Sequence, residues 1–298
     1  MKNVLKWLLR VTGALVFAMV LATIWFYYSS ESRINREYRV ETQSLHLPEP
    51  DSTILAAGLY VAQIRGCADC HGADLAGNLF FDEMPVARVS APNITPAGPV
   101  SSYKTEDWVR SVRHGVGRDG KPFWIMPSDA YTGISEGDLA ALILYLKSLE
   151  PIVSEQPDVK ELGPIGRMLV ATNGLKLPVK KIDHSRPFPI KPPVGPTVEF
   201  GFYLLDECRH CHGANLTGGI VAGDPSSPPS SNLTPGPEGI GHYDRDVLER
   251  ALRTGVKPDG SVMNPMFMPW SASMHFTDVE IDAIWAYLRS LEPLPTGS

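Results

Sequence analysis

One segment of the chain differs from the rest in its pattern of apolar and polar residues. Residues 11–28 read VTGALVFAMVLATIWFYY and carry no charge, and eighteen such residues are just enough to span a bilayer as a helix. Basic residues precede the run and aromatic residues close it, as the positive-inside rule and the aromatic belt require. The pattern predicts an N-terminal transmembrane anchor over residues 1–30, crossing the cell membrane once, with everything from about Ser29 onward on the periplasmic, extracytoplasmic side.

A cleaved secretory signal peptide is the alternative explanation for the same run, because Val20 and Ala22 satisfy a small-residue cleavage rule. Cleavage there would leave the bulky residues 24–28, IWFYY, at a new terminus, and this favours the retained anchor. Both alternatives place the remainder of the chain on the same side of the membrane.

The remainder of the chain is a tandem repeat, in which residues 51–151 align with residues 195–293 at an offset of 139 to 142. CHGADLAG matches CHGANLTG, NITP matches NLTP, and LYLKSLEP matches AYLRSLEP. Self-similarity over this length indicates duplication of a whole domain. We therefore predict one domain over residues 48–151, a second over residues 197–295, and a proline-rich linker over residues 152–196 that lies across the domains.

Within each repeat the apolar residues follow a helical period. The last helix of each copy has apolar residues at i, i+3, i+4 and i+7, and capping boxes at Ser135 and Thr277 open these helices. A middle helix should begin near Thr105 or Asp244 and stop by a glycine, and a short helix should precede each cysteine pair. The linker carries one further helical pattern, at Leu162, Ile165, Met168 and Leu169. The prediction is an all-α fold, with two tandem domains after the membrane helix.

Four cysteines form two pairs, and each pair is followed directly by histidine, in CADCH at 67–71 and CRHCH at 208–212. Cysteine pairs alone would also suit a redox dithiol or a zinc site. The sequence CxxCH is the haem-attachment pattern, in which two thioethers hold the porphyrin and the histidine reaches the iron. We therefore predict two covalently bound haem c groups, the first on Cys67, Cys70 and His71 and the second on Cys208, Cys211 and His212.

The second axial ligand of each iron decides whether the site carries electrons or binds a substrate. Met126 and Met268 are the predicted ligands, since both precede proline and both lie between an Asp-Gly turn and the terminal helix. Core packing is the ordinary role of a methionine. The alternative at the second site is Met266, which has the spacing of the first repeat from that turn.

Other residues of the repeat carry weaker expectations. His114 has no histidine counterpart, so we expect a solvated residue at the end of a helix. Arg113 and Arg253 coincide in the repeat, and either pair with haem propionates or are solvated. Asn93 and Asn232 fit glycosylation sequons, but their matching NxTP context favours a role in shaping a loop.

The formal net charge of −6 restricts the partners. Nucleic-acid binding depends on neutralising phosphates with basic residues, so we expect no nucleic-acid partner. An acidic surface suits a basic redox partner.

These residues resemble the class I cytochrome c fold, in which CxxCH follows the first helix and methionine lies on the far side. The succession CHGADLAG, NITP, VRSVRHGVGRDG, MP and YLKSL is similar to the membrane-bound cytochrome subunits of bacterial alcohol, gluconate and aldehyde dehydrogenases, over most of residues 51–293. The resemblance implies acceptance of electrons from a catalytic partner and delivery to quinone or a terminal oxidase. Such subunits usually carry three haems and are attached to the membrane elsewhere, whereas this sequence contains two CxxCH motifs and an N-terminal apolar run.

The function expected from the sequence is electron transfer between an extracytoplasmic or membrane redox donor and an acceptor, without catalysis by this chain. The redox partner would be a dehydrogenase, a respiratory complex or a terminal oxidase. The alternative is a di-haem enzyme, a peroxidase or thiosulfate-type dehydrogenase, which needs an open position at one iron. The two methionine candidates favour electron transfer.

Overall fold

The computed structural model describes residues 2–220 and 228–298. Met1 of the predicted anchor and residues 221–227 of the predicted second domain lie outside the described residues. The described chain is mostly helical, which confirms the predicted class. Its α-helices, in chain order, are α1 (Lys2–Ile34), α2 (Ser52–Ile64), α3 (Cys67–His71), α4 (Thr105–His114), α5 (Glu136–Ser148), α6 (Pro164–Thr172), α7 (Val198–Leu204), α8 (Arg209–His212), α9 (Arg245–Thr254), α10 (Trp270–Ser273) and α11 (Asp278–Ser290).

The N-terminal helix α1 is 33 residues long and is the one described helix whose length and composition suit a membrane span. Its apolar side chains, such as Leu15 and Phe17, are exposed along most of its length. The helix continues four residues past the predicted end at residue 30. This extension packs against α6, so the outer end of α1 is joined to the rest of the protein.

The two repeats fold in the same way, because in each one the first helix crosses the last. The α2 helix crosses α5, and α7 crosses α11. Asp51 caps α2 and Thr197 caps α7, each accepting a backbone N–H with its side chain. The middle helices α4 and α9 end at Gly115 and Gly255, whose φ angles of 65° and 71° are in the left-handed region that favours glycine.

Glycines at the crossings let the helix backbones approach closely. A Cβ built on Gly58 would lie 2.5 Å from Tyr145 Cβ and closer still to the Ala141 carbonyl oxygen. Gly201 meets α11 in the same way, 2.7 Å from Tyr287 Cβ. Gly58 is nine residues before its cysteine pair and Gly201 seven, and the shorter α7 absorbs this difference while the crossing itself stays the same.

A small sheet adds to the predicted helical architecture. Strands β1 (Asn78–Glu83), β2 (Ala87–Ala91) and β3 (Lys160–Leu162) are antiparallel and lie in that order. The strand β3 comes from the linker, about seventy residues after its neighbour β2. Such pairing depends on tertiary context more than on the propensity of three residues, so the sequence pattern did not predict it.

The linker is ordered and covers the first repeat. The predicted helix at residues 162–169 is present as α6, and residues 184–188 contact the end of α4. His114 is therefore buried, with 2% exposed, and its Nδ1 is 3.0 Å from His184 Nδ1. The expectation of a solvated His114 was wrong, because the linker closes over the end of α4. Burial, with His184 next, lowers the pKa of His114 to about 4.

Arg113 and Arg253, which occupy the same position in the two repeats, donate hydrogen bonds to loop residues, and neither lines the cavity of the first repeat. Arg113 is buried, and its guanidinium donates to Gln43 and to the backbone carbonyls of Thr132, Arg186 and Pro187. Arg253 donates to the carbonyls of two residues that precede α11 and to Asp278. The expectation of a solvated Arg113 was wrong: Nη1 and Nη2 donate to uncharged oxygens of the chain, and Nε is buried without an acceptor among the described residues.

Gly58→Ala should destabilise the protein by about 1–3 kcal/mol, because the added methyl group overpacks the crossing of α2 with α5. Urea unfolding followed by circular dichroism measures the change. The matched control is Gly137→Ala in α5, where an added Cβ meets nothing within 4 Å, so helix propensity alone should stabilise that variant by about 0.5–1 kcal/mol. Equal midpoints for the two variants would show that the crossing tolerates a side chain.

Candidate haem-binding sites

The first repeat contains a cavity of about 180 Å³ between its cysteine pair and its methionine loop. Cys67, Cys70 and His71 line it, and so does Met126. Most of the remaining lining is apolar, from α4, α5 and β2. The four residues that the sequence predicted for the first site therefore meet in one apolar cavity.

His71 is held in one tautomer and one orientation. Its Nδ1 lies 2.7 Å from the carbonyl oxygen of Pro92, and since a carbonyl oxygen only accepts, Nδ1 carries the proton. The lone pair is then on Nε2, as in histidines whose second nitrogen is fixed by a hydrogen bond while the first binds a metal. Burial lowers the pKa of His71, which keeps the imidazole neutral.

The second repeat positions His212 in the same way. Its Nδ1 lies 2.7 Å from the carbonyl oxygen of Ser231, the residue equivalent to Pro92, and burial lowers the pKa of this histidine too. The loop after each motif also matches, because Gly77 N–H donates to His71 O and Gly218 N–H to His212 O, both at 2.8 Å. The two histidines thus have the same backbone support.

The NxTP segments build the loop that supplies these carbonyls. Asn93 Oδ1 accepts from the N–H and the hydroxyl of Thr95, and its Nδ2 donates to Ile152 O at 2.7 Å. Asn232 makes the same bonds with Thr234 and Leu294. Both asparagines are buried and their amide nitrogens are engaged, which confirms the expected loop-shaping role.

Backbone hydrogen bonds show which methionines are equivalent. Met126 O accepts from Ser128 N, and Met268 O accepts from Trp270 N. Before each methionine, Phe123 N donates to Gly115 O and Met263 N to Gly255 O. The two extra residues of the second loop therefore fall between 263 and 268, so that Met268 has the backbone position of Met126. Met268 is half-buried, whereas Met266 is 62% exposed.

The cysteines do not have the properties of a redox dithiol or of a zinc site. Burial raises the pKa of Cys67 and of Cys208 to about 12 and that of Cys70 to about 11, whereas a redox dithiol needs a lowered thiol pKa. Within residues 2–220 and 228–298, no three histidine, cysteine or acidic side chains converge on a metal-sized site. A zinc site built from the two pairs is therefore absent from the described part of the chain.

Two residues that line the first cavity, Trp108 and Arg65, each have a buried nitrogen that lacks a partner among the described residues, Trp108 Nε1 and Arg65 Nε. Trp108 is 3% exposed, lines the cavity, and has a buried Nε1 with no hydrogen-bond acceptor. A buried donor left unpaired costs about 1–3 kcal/mol, so this site fits a bound group that presents an acceptor oxygen, as a haem propionate does. Leu248 replaces the tryptophan in the second repeat, so the two sites differ in this donor.

The two cysteine motifs face each other across a buried ion pair. Arg65 lies two residues before Cys67, and Glu207 directly precedes Cys208. Arg65 Nη1 is 2.6 Å from Glu207 Oε2, and the arginine side chain is only 6% exposed. Tyr131, which lines the first cavity, donates its hydroxyl to Arg65 O at 2.9 Å. The arrangement brings the two candidate sites to one interface between the repeats.

The sequence analysis did not predict the Arg65–Glu207 ion pair, because the comparison of the two repeats does not indicate it. Arg65 aligns with Asp206, and Glu207 aligns with Gly66, so neither residue recurs in the other copy. The available signal was a pair of opposite charges directly before the two motifs. A second contact was hidden in the same way, since Asp138 of a predicted capping box instead accepts from Tyr203 Oη at 2.6 Å.

Two family models match the repeats separately. The model described as "Cytochrome c" matches residues 200–292, and the model described as "Cytochrome C oxidase, cbb3-type, subunit III" matches residues 55–146. The chain carries two cytochrome c domains in tandem. Domains of this kind bind haem c, so the matches indicate haem c as the cofactor. The expected resemblance to class I cytochromes is confirmed.

Several relatives that align with 80% to 93% of the chain are cytochrome subunits by name. The chain is 26% identical to the "Alcohol dehydrogenase (quinone), cytochrome c subunit" of Gluconacetobacter polyoxogenes, with 83% of this chain and 58% of the relative covered. It is 28% identical to the "Fructose dehydrogenase cytochrome subunit" of Gluconobacter japonicus, with coverages of 80% and 52%. It is 25% identical to the "Gluconate 2-dehydrogenase cytochrome c subunit" of Pantoea cypripedii, with 93% of this chain and 64% of the relative covered. The chain spans little more than half the length of these relatives.

Replacing Glu207 by glutamine should destabilise the interface between the two cytochrome c domains by about 1–3 kcal/mol, because Arg65 stays buried after losing its charged partner. Urea unfolding measures the loss. Asp82→Asn is the matched control: Asp82 pairs with Arg88 at 3.4 Å, but both side chains are about half exposed, so this change should cost about 0–1 kcal/mol. Equal losses of unfolding free energy in the two variants would show that the buried pair stabilises the protein no more than the exposed pair does.

Proposed function

We propose that this chain is an electron-transfer cytochrome that holds two covalently bound haem c groups on the periplasmic side of the cell membrane. When bound, haem c supplies one-electron redox chemistry. Each domain contributes two thioether cysteines, a proximal histidine and a distal methionine. These residues are Cys67, Cys70, His71 and Met126 in the first domain, and Cys208, Cys211, His212 and Met268 in the second.

The observation that carries this proposal is the recurrence of a neutral, oriented histidine and a methionine at equivalent backbone positions in both domains. With a histidine and a methionine as its ligands, a bound haem would have no free position for a substrate. This favours electron transfer over a di-haem peroxidase or a thiosulfate-type dehydrogenase. The relatives, which are cytochrome subunits of dehydrogenases by name, support the same choice.

The protein partner that we propose is a dehydrogenase subunit that supplies electrons. The support is the names of the relatives, and the chain itself would be the electron carrier and not the catalytic subunit. The net charge of −6 suits a basic contact surface on that partner and does not suit nucleic acid.

A membrane-side acceptor is supported by a second cavity, of about 640 Å³, beside the outer end of α1. Its lining includes Glu31 and Ile34 of α1 and Arg167 of α6. Pro122, Phe123, Trp124 and Lys160 line this cavity and the first candidate haem site alike. We infer that an acceptor dissolved in the membrane, such as the quinone in the name of one relative, approaches the first domain here.

The anchor is retained in this proposal, because α1 does not end where the apolar run ends. Ser30 and Ile34 are buried, and Arg167 of α6 binds Ser30 Oγ at 3.0 Å and Glu31 Oε1 at 2.8 Å. Signal-peptide cleavage after Ala22 would leave the packed part of the helix behind without its apolar half. We place the domain boundaries, as above, at residues 1–30, 48–151, 152–196 and 197–295.

Met126→Ala and Met268→Ala each test the axial assignment. Loss of the thioether should convert one haem to a high-spin, ligand-accessible form, seen as a changed Soret band and as carbon monoxide binding to half of the reduced haem. Met266→Ala is the matched control for the second site. An unchanged spectrum in Met268→Ala, together with a changed one in Met266→Ala, would reassign the second ligand.

The unmodified protein tests electron transfer against the enzyme alternative. The purified chain should contain two haem c groups by pyridine haemochromogen, should bind no carbon monoxide when reduced, and should not turn over peroxide. Affinity purification from native membranes should recover a dehydrogenase subunit. A carbon monoxide difference spectrum or peroxidase turnover in the unmodified protein would establish the enzyme alternative instead.

A further inference from the structure

The linker helix α6 leaves apolar side chains uncovered beside the end of α1. Ile165 and Met168 are 41% and 40% exposed, and residues three apart lie on the same side of a helix. Met84 is 55% exposed and precedes Pro85, whose carbonyl accepts from Ile165 N at 3.2 Å. Met84, Ile165 and Met168 form the patch that we call the α6 patch.

Helix α6 is fastened to the last turns of α1. The guanidinium of Arg167 lies over the ring of Tyr27, 4.3 Å from its centroid, and binds Glu31 at 2.8 Å. Arg33 donates in turn to Val170 O at 3.0 Å. These contacts fix α6 relative to residues 27–33 of α1, so the position of α1 in the membrane determines the position of α6.

That position is the headgroup layer of the bilayer. The uncharged run of α1 ends at Tyr28, and Glu31 follows three residues later, about 4.5 Å further along the helix axis. The polar layer on each side of the hydrocarbon core is about 5–7 Å thick. If α1 spans the bilayer, α6 lies in this layer.

The α6 patch faces away from the first domain. Gly166 faces the domain, since a Cβ added there would collide with Val86 O, and Val170 is buried on the same side. Successive helical residues are about 100° apart, so Met168 points nearly opposite to Gly166, with Ile165 beside it. Arg167, which binds α1, is about 100° from Gly166, so the domain and α1 cover adjacent sides of α6 and leave the patch open.

We propose that the α6 patch contacts lipid at the boundary between headgroups and acyl chains, so that α6 is a second membrane contact beside α1. Amphipathic helices bind there with their apolar face inserted by about 5–10 Å. The contact would hold the first domain in one orientation, with the cavity beside α1 open at headgroup level. This inference rests on the proposed anchoring by α1.

Site-directed spin labelling of the full, haem-loaded chain in phosphatidylcholine–phosphatidylglycerol nanodiscs tests the proposal. Single cysteines replace Ile165, Met168, Phe17 or Ile190 in separate samples, and the saturation of each label is referred to the same sample under nitrogen without a reagent. The labels at 165 and 168 should be more accessible to oxygen than to a water-soluble nickel chelate, with a depth shallower than the label at 17. Ile190 is 92% exposed on another part of the linker, and its label should be more accessible to the nickel chelate.

The label at 17 separates failure of this inference from failure of the anchor. Labels at 165 and 168 that behave like the label at 190, while the label at 17 is deep in the bilayer, would overturn the lipid contact and leave the anchor intact. A label at 17 accessible to nickel would overturn the anchor and the lipid contact together. Labels at 165 and 168 shielded from both reagents would indicate a protein contact and would overturn the lipid contact as well.

Discussion

The close crossing of the first and last helices is the constraint on which each cytochrome c domain depends. Gly58 against Ala141, and Gly201 against Ala283, bring two helix backbones to a distance that no side chain permits. The first helix leads directly into the cysteine motif, and the last helix follows the methionine loop. The crossing therefore fixes the position of the element that carries the predicted histidine ligand relative to the helix that follows the predicted methionine ligand.

Around this shared frame the two sites have become different. The backbone bonds that hold His71 and His212 are the same, but Trp108 in the first domain is replaced by Leu248 in the second, and the linker covers α4 of the first domain. Reduction potentials respond to hydrogen bonding, burial and local charge. The same predicted ligands therefore would not imply equal potentials, and a difference between the two sites would favour one direction of electron flow within the chain.

The sequence predicted what is local or repeated, and missed what is neither. The recurring features are CxxCH, the methionine loops, the capped helices and the NxTP turns. Each copy supports the interpretation of the same feature in the other copy. The strand β3, the burial of His114 and the Arg65–Glu207 pair depend on contacts between segments 70 to 142 residues apart. Apart from the opposite charges before the two cysteine motifs, the neighbouring residues give no sign of such contacts. The sequence preferred Met268 to Met266 because Met126 and Met268 both precede proline, and the backbone bonds that locate the two extra residues support that preference.

The position of the first domain suggests an order for the electron path. Its candidate site is bordered on one side by Phe123, Trp124 and Lys160, which also line the cavity beside α1, and on another by Arg65, which pairs with Glu207 of the second domain. The second domain meets the first through its cysteine motif, away from the membrane-side cavity. In the proposed function, electrons that enter at the second domain would therefore pass through the first before reaching a membrane acceptor. The fastening of α6 to α1 gives this order a fixed relation to the membrane surface, since the same contacts that place the α6 patch also place the cavity.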